Sequence, residues 1–354
     1  MFTRSKKSVL GLDLSNRSFK IVQFRERTGK PSLVSSVKQD IPAGLVENSE
    51  IKKEKELIIL IKSALAKIKG ESLRTRQVVC NLPEEKVFIR VVQLPLMKKE
   101  EINHAVKWEA EAHIPLGLDE VYLDWQIIES NTAHSDHFDI LIAVAPRTLI
   151  ESYFNFLKKC GLQPIALEPE SIAVVRGLIG DKQAKPAIIV DIGATGTNFV
   201  IFAASAIRFT SHVNISGQLF NQAIAKSLGV TEKEANQLKI KIGLDKTKER
   251  GKVYQALKPI VVNLTKQIAD YINFYHNNAT HIHDSKGSIA QVILCGGDSL
   301  LNNLPELLSQ QLELPVQLGN PLNNLTLADK KTSLSKKEAL SYTTAIGLAL
   351  REFK

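Results

Sequence analysis

Apolar residues form short runs near the start of the chain. They predict two strands joined by a turn over residues 8–25 and a third strand over 31–40. Apolar residues then recur every three or four positions over 51–69, which is the spacing of an amphipathic helix, and Gly70 is expected to end that helix. A buried strand follows at 77–82. Three strands, a helix and a strand in this order are typical of one half of a ribonuclease-H-like lobe.

Residues 84–160 interrupt that order and have apolar faces of their own, so we expect an inserted α/β subdomain. Its predicted strands are 87–92, 121–128 and 138–144, and its predicted helices are 99–113 and 148–159. A helix is then predicted over 172–178, and residues 180–186 are expected to connect the first lobe to a second one.

The second half of the chain contains similar strands and more helices. Strands are predicted at 188–192, 199–202 and 292–295, and helices at 218–228, 231–241, 253–276, 300–312 and 335–353. The expected fold is α/β with two lobes and a subdomain inserted in each lobe. The expected divisions are subdomain 1A at 1–84, the inserted subdomain 1C at 85–161, the rest of 1A and the crossing at 162–186, subdomain 2A at 187–217, the helical subdomain 2B at 218–285, the rest of 2A at 286–338, and a C-terminal connecting helix at 339–354.

Composition agrees with a globular protein of this size. Of its residues, 44% are apolar and 23% are charged. The chain has 354 residues, a length too great for one ordinary core. It has no apolar run of the roughly eighteen residues that span a bilayer, and its basic N-terminus is not followed by a signal-peptide core. Cys80, Cys160 and Cys295 stand singly, without disulfide or zinc spacing, so we expect a cytoplasmic protein.

The net charge of +9 leaves three interpretations open: a solvated surface, a location near an anionic membrane face, or nucleic-acid binding. The lysines are interleaved with acids, and aromatic residues do not alternate with basic ones as they do in single-strand binders. We therefore favour the solvated surface and expect no nucleic-acid partner.

Histidines occur in two groups, which raises the question of a metal site. The groups are His134 with His137, and His276 with His281 and His283. Neither group has a cysteine or a pair of carboxylates beside it. We expect solvated loops there.

Two distant segments are similar to each other and carry the candidate chemistry. In 9–18 and in 188–198 an apolar strand runs into an aspartate, Asp13 or Asp191, and then into a turn of small and hydroxyl residues. Such a turn presents backbone N–H groups and hydroxyls to an anion, while the aspartate can hold a cation or its waters. One such turn often serves chain geometry alone. A third segment, 292–299, puts a glycine pair after a buried strand, and the three segments together predict a two-lobed ATP-binding protein.

These segments resemble the motifs of the superfamily of actin, the heat-shock chaperones and the sugar kinases. The two aspartate turns resemble its phosphate loops, 295–299 its adenosine motif, and 168–173 and 344–349 its two connecting helices. The resemblance implies ATP and Mg²⁺ between the lobes, with Asp13 and Asp191 holding the metal mostly through water. The residues implied to contact the nucleotide are Asp13, Ser15, Asn16, Arg17, Ser18, Lys20, Asp191, Gly193, Ala194, Thr195, Gly196, Thr197, Gly217, Asn236, Lys239, Gly296, Gly297, Asp298 and Ser299.

Three positions differ from the superfamily pattern or have two interpretations. Glu168 is implied to orient a hydrolytic water; alternatively it is an acid at a helix start, next to Pro169, that interacts with the helix dipole. The segment 232–239 resembles the helix that grips the ribose, but Asn236 stands where the superfamily has Glu, while Lys239 keeps its place. Ser15 stands where many relatives have Gly.

The inserted subdomain resembles that of the PilM family, the actin-like cytoplasmic component of type IV pilus and related secretion machines. The resemblance covers essentially the whole chain, and its most specific part is Ile-Pro at 114–115 followed by 119–125. It implies that the chain binds the cytoplasmic N-terminal peptide of a PilN-like single-pass membrane protein, in a groove beside the inserted subdomain. We expect Trp108 and Trp125 to pack in the core of that subdomain; the alternative is that they line the groove.

The same resemblance sets the expected location. FtsA, the cell-division relative, carries a membrane helix after a linker, whereas here the sequence stops after the second connecting helix. We therefore expect a cytoplasmic protein that lies at the inner membrane through its partner, with indirect membrane contact and at most slow ATP hydrolysis. The alternatives are an FtsA- or MreB-like filament former that self-associates, and a small-molecule kinase, for which we find no acceptor loop containing Asp.

Overall fold

The computed structural model describes residues 8–27, 30–114, 116–128, 137–180, 185–278, 288–323, 325–327 and 334–353. The chain divides into two compact units. One comprises Met1–Lys182 with Asn320–Lys354, and the other comprises Gln183–Gly319. Each unit is built around its own sheet.

The sheet of the first unit has the strand order β11-β7-β1-β2-β3-β17, and β6 pairs with β3. Its strands are β1 (Ser8–Leu14), β2 (Ser18–Arg27), β3 (Lys30–Asp40), β6 (Lys69–Gly70), β7 (Gln77–Leu82), β11 (Gln163–Pro169) and β17 (Thr326–Leu327); β4 (Val46–Glu47) and β5 (Glu50–Ile51) form a separate hairpin. Because β7 and β11 run parallel to β1, their carboxyl ends meet at one edge of the sheet. That edge carries Asp13, Asn81 and Glu168.

Helices cover both faces of this sheet. Helix α1 (Glu54–Ala66) and helix α3 (Arg147–Lys159) bury Ile61 and Phe156 with Leu10 of β1 in one core. The predicted end of α1 at Gly70 is wrong, because the helix ends at Ala66 with Lys67 as its C-cap, and Gly70 lies in β6 with a φ of 107°.

Helix α4 (Glu170–Leu178) and helix α10 (Thr343–Leu350) lie on the other face of the sheet. Valine and alanine side chains of α10, β1 and β7 share this second core. The single C-terminal helix predicted over 335–353 is instead α9 (Lys336–Leu340), α10 and a short 3₁₀ turn (Arg351–Phe353), with Ser341 and Tyr342 between the two α-helices.

The segment between β7 and β11 contains a small antiparallel sheet with the order β8-β10-β9. The strands are β8 (Phe88–Pro95), β9 (Val121–Ile128) and β10 (His137–Pro146). Helix α2 (Lys99–His113), which has the predicted bounds, buries Ile102 and Val106 against Ile140 and Ile142 of β10. This part of the chain therefore has its own apolar core.

The sheet of the second unit has the strand order β14-β13-β12-β15-β16. As in the first sheet, three consecutive strands (β12, β13 and β14) pair antiparallel, and the later strands β15 and β16 add in parallel. Its elements are β12 (Ala187–Ile192), β13 (Thr197–Ala203), β14 (Ala206–Val213), α5 (Gly217–Leu228), α6 (Glu232–Lys241), α7 (Lys252–Asn278), β15 (Gln291–Cys295), α8 (Leu304–Leu312) and β16 (Val316–Leu318). Helix α8 starts four residues later than predicted, because Asn303 adopts a left-handed φ of 63° and Pro305 lies in the first turn. No helix in the described part of the chain combines the length and apolarity needed to cross a bilayer.

Candidate functional site

The turn after Asp13 is held by its own hydrogen bonds. Ser15 donates from its amide and its hydroxyl to the carbonyl of Ser18, at 3.1 and 2.8 Å, and the amide oxygen of Asn16 accepts from the backbone of Ser49 at 2.9 Å. Asp13 is buried, and Lys20, opposite it on β2, donates to its Oδ2 at 3.0 Å. The aspartate and lysine predicted to meet the phosphates therefore form an ion pair with each other.

Asn81, which was not among the predicted site residues, connects this turn to helix α4. Its Oδ1 accepts from the amide of Leu14 at 2.7 Å, and its Nδ2 donates to the carbonyl of Leu14 at 3.2 Å and to Oε1 of Glu170 at 2.8 Å. Asn81 is fully buried at the end of β7. A polar residue between apolar neighbours, next to the last position of the strand, is the sequence signal that could have identified it.

Glu168 does not have the environment of a water-positioning acid. Its carboxylate is buried and accepts from Arg176 at 2.7 and 3.0 Å, as well as from Arg351. Arg176 also donates to the carbonyl of Gly347 at 3.0 Å. We therefore assign Glu168 to holding β11, α4 and the end of α10 together. Glu170, two residues later, is the carboxylate that reaches the Asp13 turn through Asn81.

The second turn, after Asp191, has the same shape. The amide of Gly193 donates to the carbonyl of Gly196 at 2.9 Å, and the carbonyls of Gly193 and Ala194 accept from the first amides of α5, those of Gly217 and Gln218, both at 3.0 Å. Within the described residues, the amides of Ala194 and Gly196 donate to no protein acceptor. These two donors are the ones that an anion would use here.

Asp191 is packed against β15. Cys295 is its register partner on that strand, and a Cβ on Gly296 would lie 2.3 Å from Oδ1 of Asp191. Gly296 has a φ of 85°, and its own carbonyl accepts from Ser299 Oγ at 2.8 Å. The close approach that requires a glycine at 296 is therefore to Asp191 and to the backbone carbonyl of Ile192, which would lie 2.4 Å from the Cβ, while Gly297 is exposed.

Two hydroxyl groups that were predicted to contact the nucleotide, those of Thr197 and Ser299, bond to the protein backbone instead. Thr197 is fully buried, and its Oγ1 donates to the carbonyl of Ile215 at 2.6 Å. Ser299 is also fully buried, with the bond to Gly296 given above. We assign both side chains to holding the turns rather than to nucleotide contact.

His212, on β14, was not predicted and lies over the second turn. Its Nδ1 is 2.7 Å from Oδ1 of Asn198, and a Cβ on Gly196 would lie 2.2 Å from its Cε1. The imidazole thus occupies the space that a side chain at Gly196 would need. Strand β14 itself was missed, because its polar residues (Arg208, Thr210, Ser211 and His212) interrupt the apolar pattern.

The ribose and adenosine residues predicted in the second unit contact each other. Lys239 is buried, and its Nζ donates to Asp298 Oδ1 at 2.5 Å and to the carbonyl of Gly217 at 3.3 Å. The carboxylate of Asp298 fills the place of a side chain at Gly217, where a Cβ would lie 2.0 Å from Oδ2. Asn236 lies one turn earlier on α6 and is partly exposed.

Within the described residues, the side chains of neither turn enclose a metal ion by themselves. Each turn offers one carboxylate, and the described residues contain no group of three or more His, Cys, Asp or Glu that could enclose a metal ion. Mg²⁺ typically keeps several waters and takes one or two carboxylates together with substrate phosphates. Taken by itself, the second turn offers one such carboxylate, Asp191, and two backbone amides, those of Ala194 and Gly196, that can face phosphate oxygens.

The histidine groups give no support for a metal site. His134, His281 and His283 lie outside the described residues. His276 was expected in a solvated loop, but it lies near the end of α7, where its Nε2 accepts from the amide of Ile289 at 3.2 Å. His137 lies 3.3 Å from Asp139.

The two tryptophans differ from each other. Trp125 packs partly buried in the core of the small sheet, and its indole N–H lies 3.4 Å from Asn103 Oδ1. The expectation that Trp108 also packs in that core is wrong, because its side chain is 79% exposed.

Comparison with known proteins agrees with this architecture. The family model described as type IV pilus assembly protein PilM matches residues 11–353. A solved PilM-PilN type IV pilus biogenesis complex contains a chain 26% identical to this one, with a TM-score of 0.82 and coverage of 98% of both chains. MreB5 of Spiroplasma citri, solved bound to ADP, is 13% identical with a TM-score of 0.55 and covers 96% of this chain and 94% of its own, a likeness that concerns the fold alone.

Curated relatives are more distant. The cell division protein FtsA of Neisseria meningitidis is 20% identical over a match of 293 residues that covers 78% of this chain and 64% of FtsA. FtsA of Pseudomonas aeruginosa is 23% identical over a match of 209 residues that covers 55% of this chain and 49% of that protein. The chain thus spans less than two thirds of the curated relatives it matches.

The sheets and helices of the two units have the actin-like fold of these neighbours, and the fold class predicted from sequence is confirmed. The chain belongs to the PilM family of type IV pilus assembly proteins, as its inserted subdomain indicated.

Proposed function

We propose that this protein is an ATP-binding scaffold of type IV pilus assembly that binds the cytoplasmic N-terminal peptide of a PilN-like inner-membrane protein. The observation that carries the proposal is the family match over residues 11–353. The likeness to the chain of the PilM-PilN complex over 98% of its length supports the choice of partner. The protein lies at the membrane through that partner.

The nucleotide part of the proposal is supported by the two aspartate turns. Asp13 and Asp191 each follow a buried strand, and each is succeeded by a turn closed on itself. We propose that both turns contact ATP·Mg²⁺, with the aspartates acting on the metal through its waters. The nucleotide biases the conformation of the protein, and hence its affinity for the partner, by binding one conformation more tightly than another.

The partner proposal is tested with a synthetic peptide of the cytoplasmic N-terminal segment of a PilN-like protein from the same organism. We expect saturable one-to-one binding in calorimetry and an affinity that changes when ATP and Mg²⁺ are added. A scrambled peptide of the same composition is the control. Absence of binding, combined with ATP- and lipid-dependent sedimentation of polymers, would favour the filament-forming alternative instead.

The nucleotide proposal is tested with Asp13→Asn and Asp191→Asn. Each change removes a charge while keeping the shape of the side chain, so the fold should persist in circular dichroism. Since a charge-assisted interaction contributes about 1.5–3 kcal/mol, each variant should bind ATP·Mg²⁺ roughly ten- to a hundredfold more weakly. Glu306→Gln, an exposed acid on α8, is the matched control and should bind as the wild type does. Unchanged affinity in both aspartate variants would contradict the site.

A further inference from the structure

Trp108 is the most exposed large apolar side chain in the described part of the chain, with 79% of its surface accessible. It lies on helix α2, whose buried residues are Ile102, Val106 and Ala110. At 100° per residue, Trp108 is turned by roughly 160° from Val106 and points away from the core. The ring therefore contributes nothing to the packing of the small sheet.

The surroundings of Trp108 on the helix are acidic. Residues three, four and seven positions away share its face, and these include His104, Glu111, Ala112 and Glu101, all exposed. Lys107 is turned by about 100° from Trp108, and Lys99 lies on the opposite side of the helix. An exposed indole flanked by two carboxylates is thus presented by a chain whose net charge is +9. We call Trp108, Glu101 and Glu111 the acidic tryptophan face.

An indole and two carboxylates together favour a ligand that combines a positive charge with apolar groups. Lysine and arginine bind over the face of tryptophan, and carboxylates strengthen the contact through charge-assisted hydrogen bonds. The cytoplasmic flanks of single-pass membrane proteins carry an excess of lysine and arginine near the membrane. The charge of such a segment complements this face.

We propose that the acidic tryptophan face binds the positively charged, membrane-proximal part of the partner's cytoplasmic segment. This rests on the proposed function and adds to it a named surface and a chemistry of recognition. The contact orients the protein so that α2 faces the membrane-bound partner. Neutral or acidic peptides should bind here weakly.

The test uses the fluorescence of Trp108 itself. The chain has two tryptophans, so Trp125→Phe leaves Trp108 as the sole reporter in the full-length protein. The probe is the synthetic N-terminal peptide of the PilN-like protein, extended to its first membrane residue. We expect the emission of Trp108 to shift to the blue on binding. A peptide with every Lys and Arg replaced by Glu should cause no shift.

Affinity is then measured for variants of the face by calorimetry. Trp108→Ala should bind the peptide about tenfold more weakly. The double variant Glu101→Gln with Glu111→Gln should lose a similar factor and most of the dependence on salt. Glutamine at 101 preserves the capping box in which Glu101 accepts from the amide of Lys98 at 3.0 Å. Ile240→Ala is the control, because Ile240 is 67% exposed but lies on α6 of the other unit.

The outcomes separate the two proposals. If the wild type binds no peptide, the proposed partner is wrong. If the peptide binds the wild type, Trp108→Ala and the double glutamine variant equally, the partner stands and the acidic tryptophan face is overturned. A blue shift that follows protein concentration without any peptide would also overturn it, because the face would then be an interface between copies of this chain.

Discussion

Gly347 of α10 lies against the backbone of Ala173 in α4, so closely that a methyl group added to Gly347 would lie 1.8 Å from the carbonyl oxygen of Ala173. The same helix approaches β1, since a Cβ on Gly11 would lie 2.0 Å from the carbonyl oxygen of Ala345. Two connecting helices and the strand that leads to Asp13 are thus packed backbone to backbone. This contact fixes the position of the Asp13 turn within the first unit.

Gly347→Ala should therefore destabilise the first unit. The added methyl group meets backbone, which cannot rotate away, so we expect a loss of about 2–3 kcal/mol in the free energy of unfolding. The urea midpoint followed by tryptophan fluorescence measures this, because Trp108 and Trp125 both belong to the first unit. Gly161→Ala is the control: its φ of 80° costs about 1 kcal/mol, but nothing lies within 4 Å of the new Cβ. Equal losses in both variants would show that the helices can separate at little cost.

The two arginines of Glu168 should contribute unequally to stability. Arg176 has 12% of its side chain exposed and Arg351 has 43%. Removing Arg176 leaves a buried carboxylate without its bidentate partner, and we expect Arg176→Ala to cost about 3 kcal/mol. Arg351→Ala should cost less than about 1 kcal/mol, because the exposed pair is screened by water.

The same urea titration checks this order, and the rate of ATP hydrolysis provides a second measurement. If Glu168 has a structural role, Glu168→Gln should lower the urea midpoint, while the protein that remains folded should keep any ATPase rate it has. A variant with wild-type stability and no hydrolysis would return Glu168 to the role implied by the superfamily.

Gly196 and His212 should show coupled effects. Gly196→Ala places a methyl group on the imidazole, so it should displace the second turn and weaken ATP binding roughly tenfold, about 1.4 kcal/mol. In a His212→Ala background the space is open, and Gly196→Ala should then cost little. A double-mutant cycle on ATP affinity and on the thermal midpoint measures the coupling. Additive effects would mean that the backbone of the turn, and not the imidazole, excludes a side chain at 196.

Local patterns predicted well those features that depend on neighbours in sequence. The apolar spacing of Ile102, Val106 and Ala110 gives α2 its observed bounds, and the strand-aspartate-turn pattern locates both turns. The same spacing, applied strictly, would also have placed Trp108 on the outer face. Its exposure was therefore readable from the sequence.

Features that depend on distant residues could not be predicted in this way. Arg351 lies 183 positions after Glu168 in sequence, so no local pattern shows that the two are paired. The bond between Lys239 and Asp298 spans 59 positions, and it joins two residues that were each assigned to the nucleotide. Strand β14 was missed because half-buried polar residues hide the period of two on which strand prediction depends.

The three buried cysteines should make the protein less stable in alkali. Burial, followed by the charge of Asp13 on a neighbouring strand, raises the pKa of Cys80, and burial followed by Asp191 raises the pKa of Cys295. Burial also raises the pKa of Cys160 to about 12. In the unfolded chain these thiols ionise near their ordinary pKa of about 8.5.

The direction of this pH dependence follows from the number of protons that the folded and unfolded states bind. Above pH of about 8.5 the unfolded chain loses thiol protons that the folded protein keeps, so the folded state binds more protons and stability falls as pH rises. Each cysteine contributes a slope of up to about 1.4 kcal/mol per pH unit between its unfolded and folded pKa. The three thiols should therefore leave the urea midpoint unchanged with pH below about 8.5, and they should lower it as the pH rises further. A variant with all three cysteines changed to alanine should start lower, because it has small cavities, but should decline less steeply over the same range. Parallel declines in the wild type and the variant would mean that other groups, such as the lysines, govern the alkaline transition.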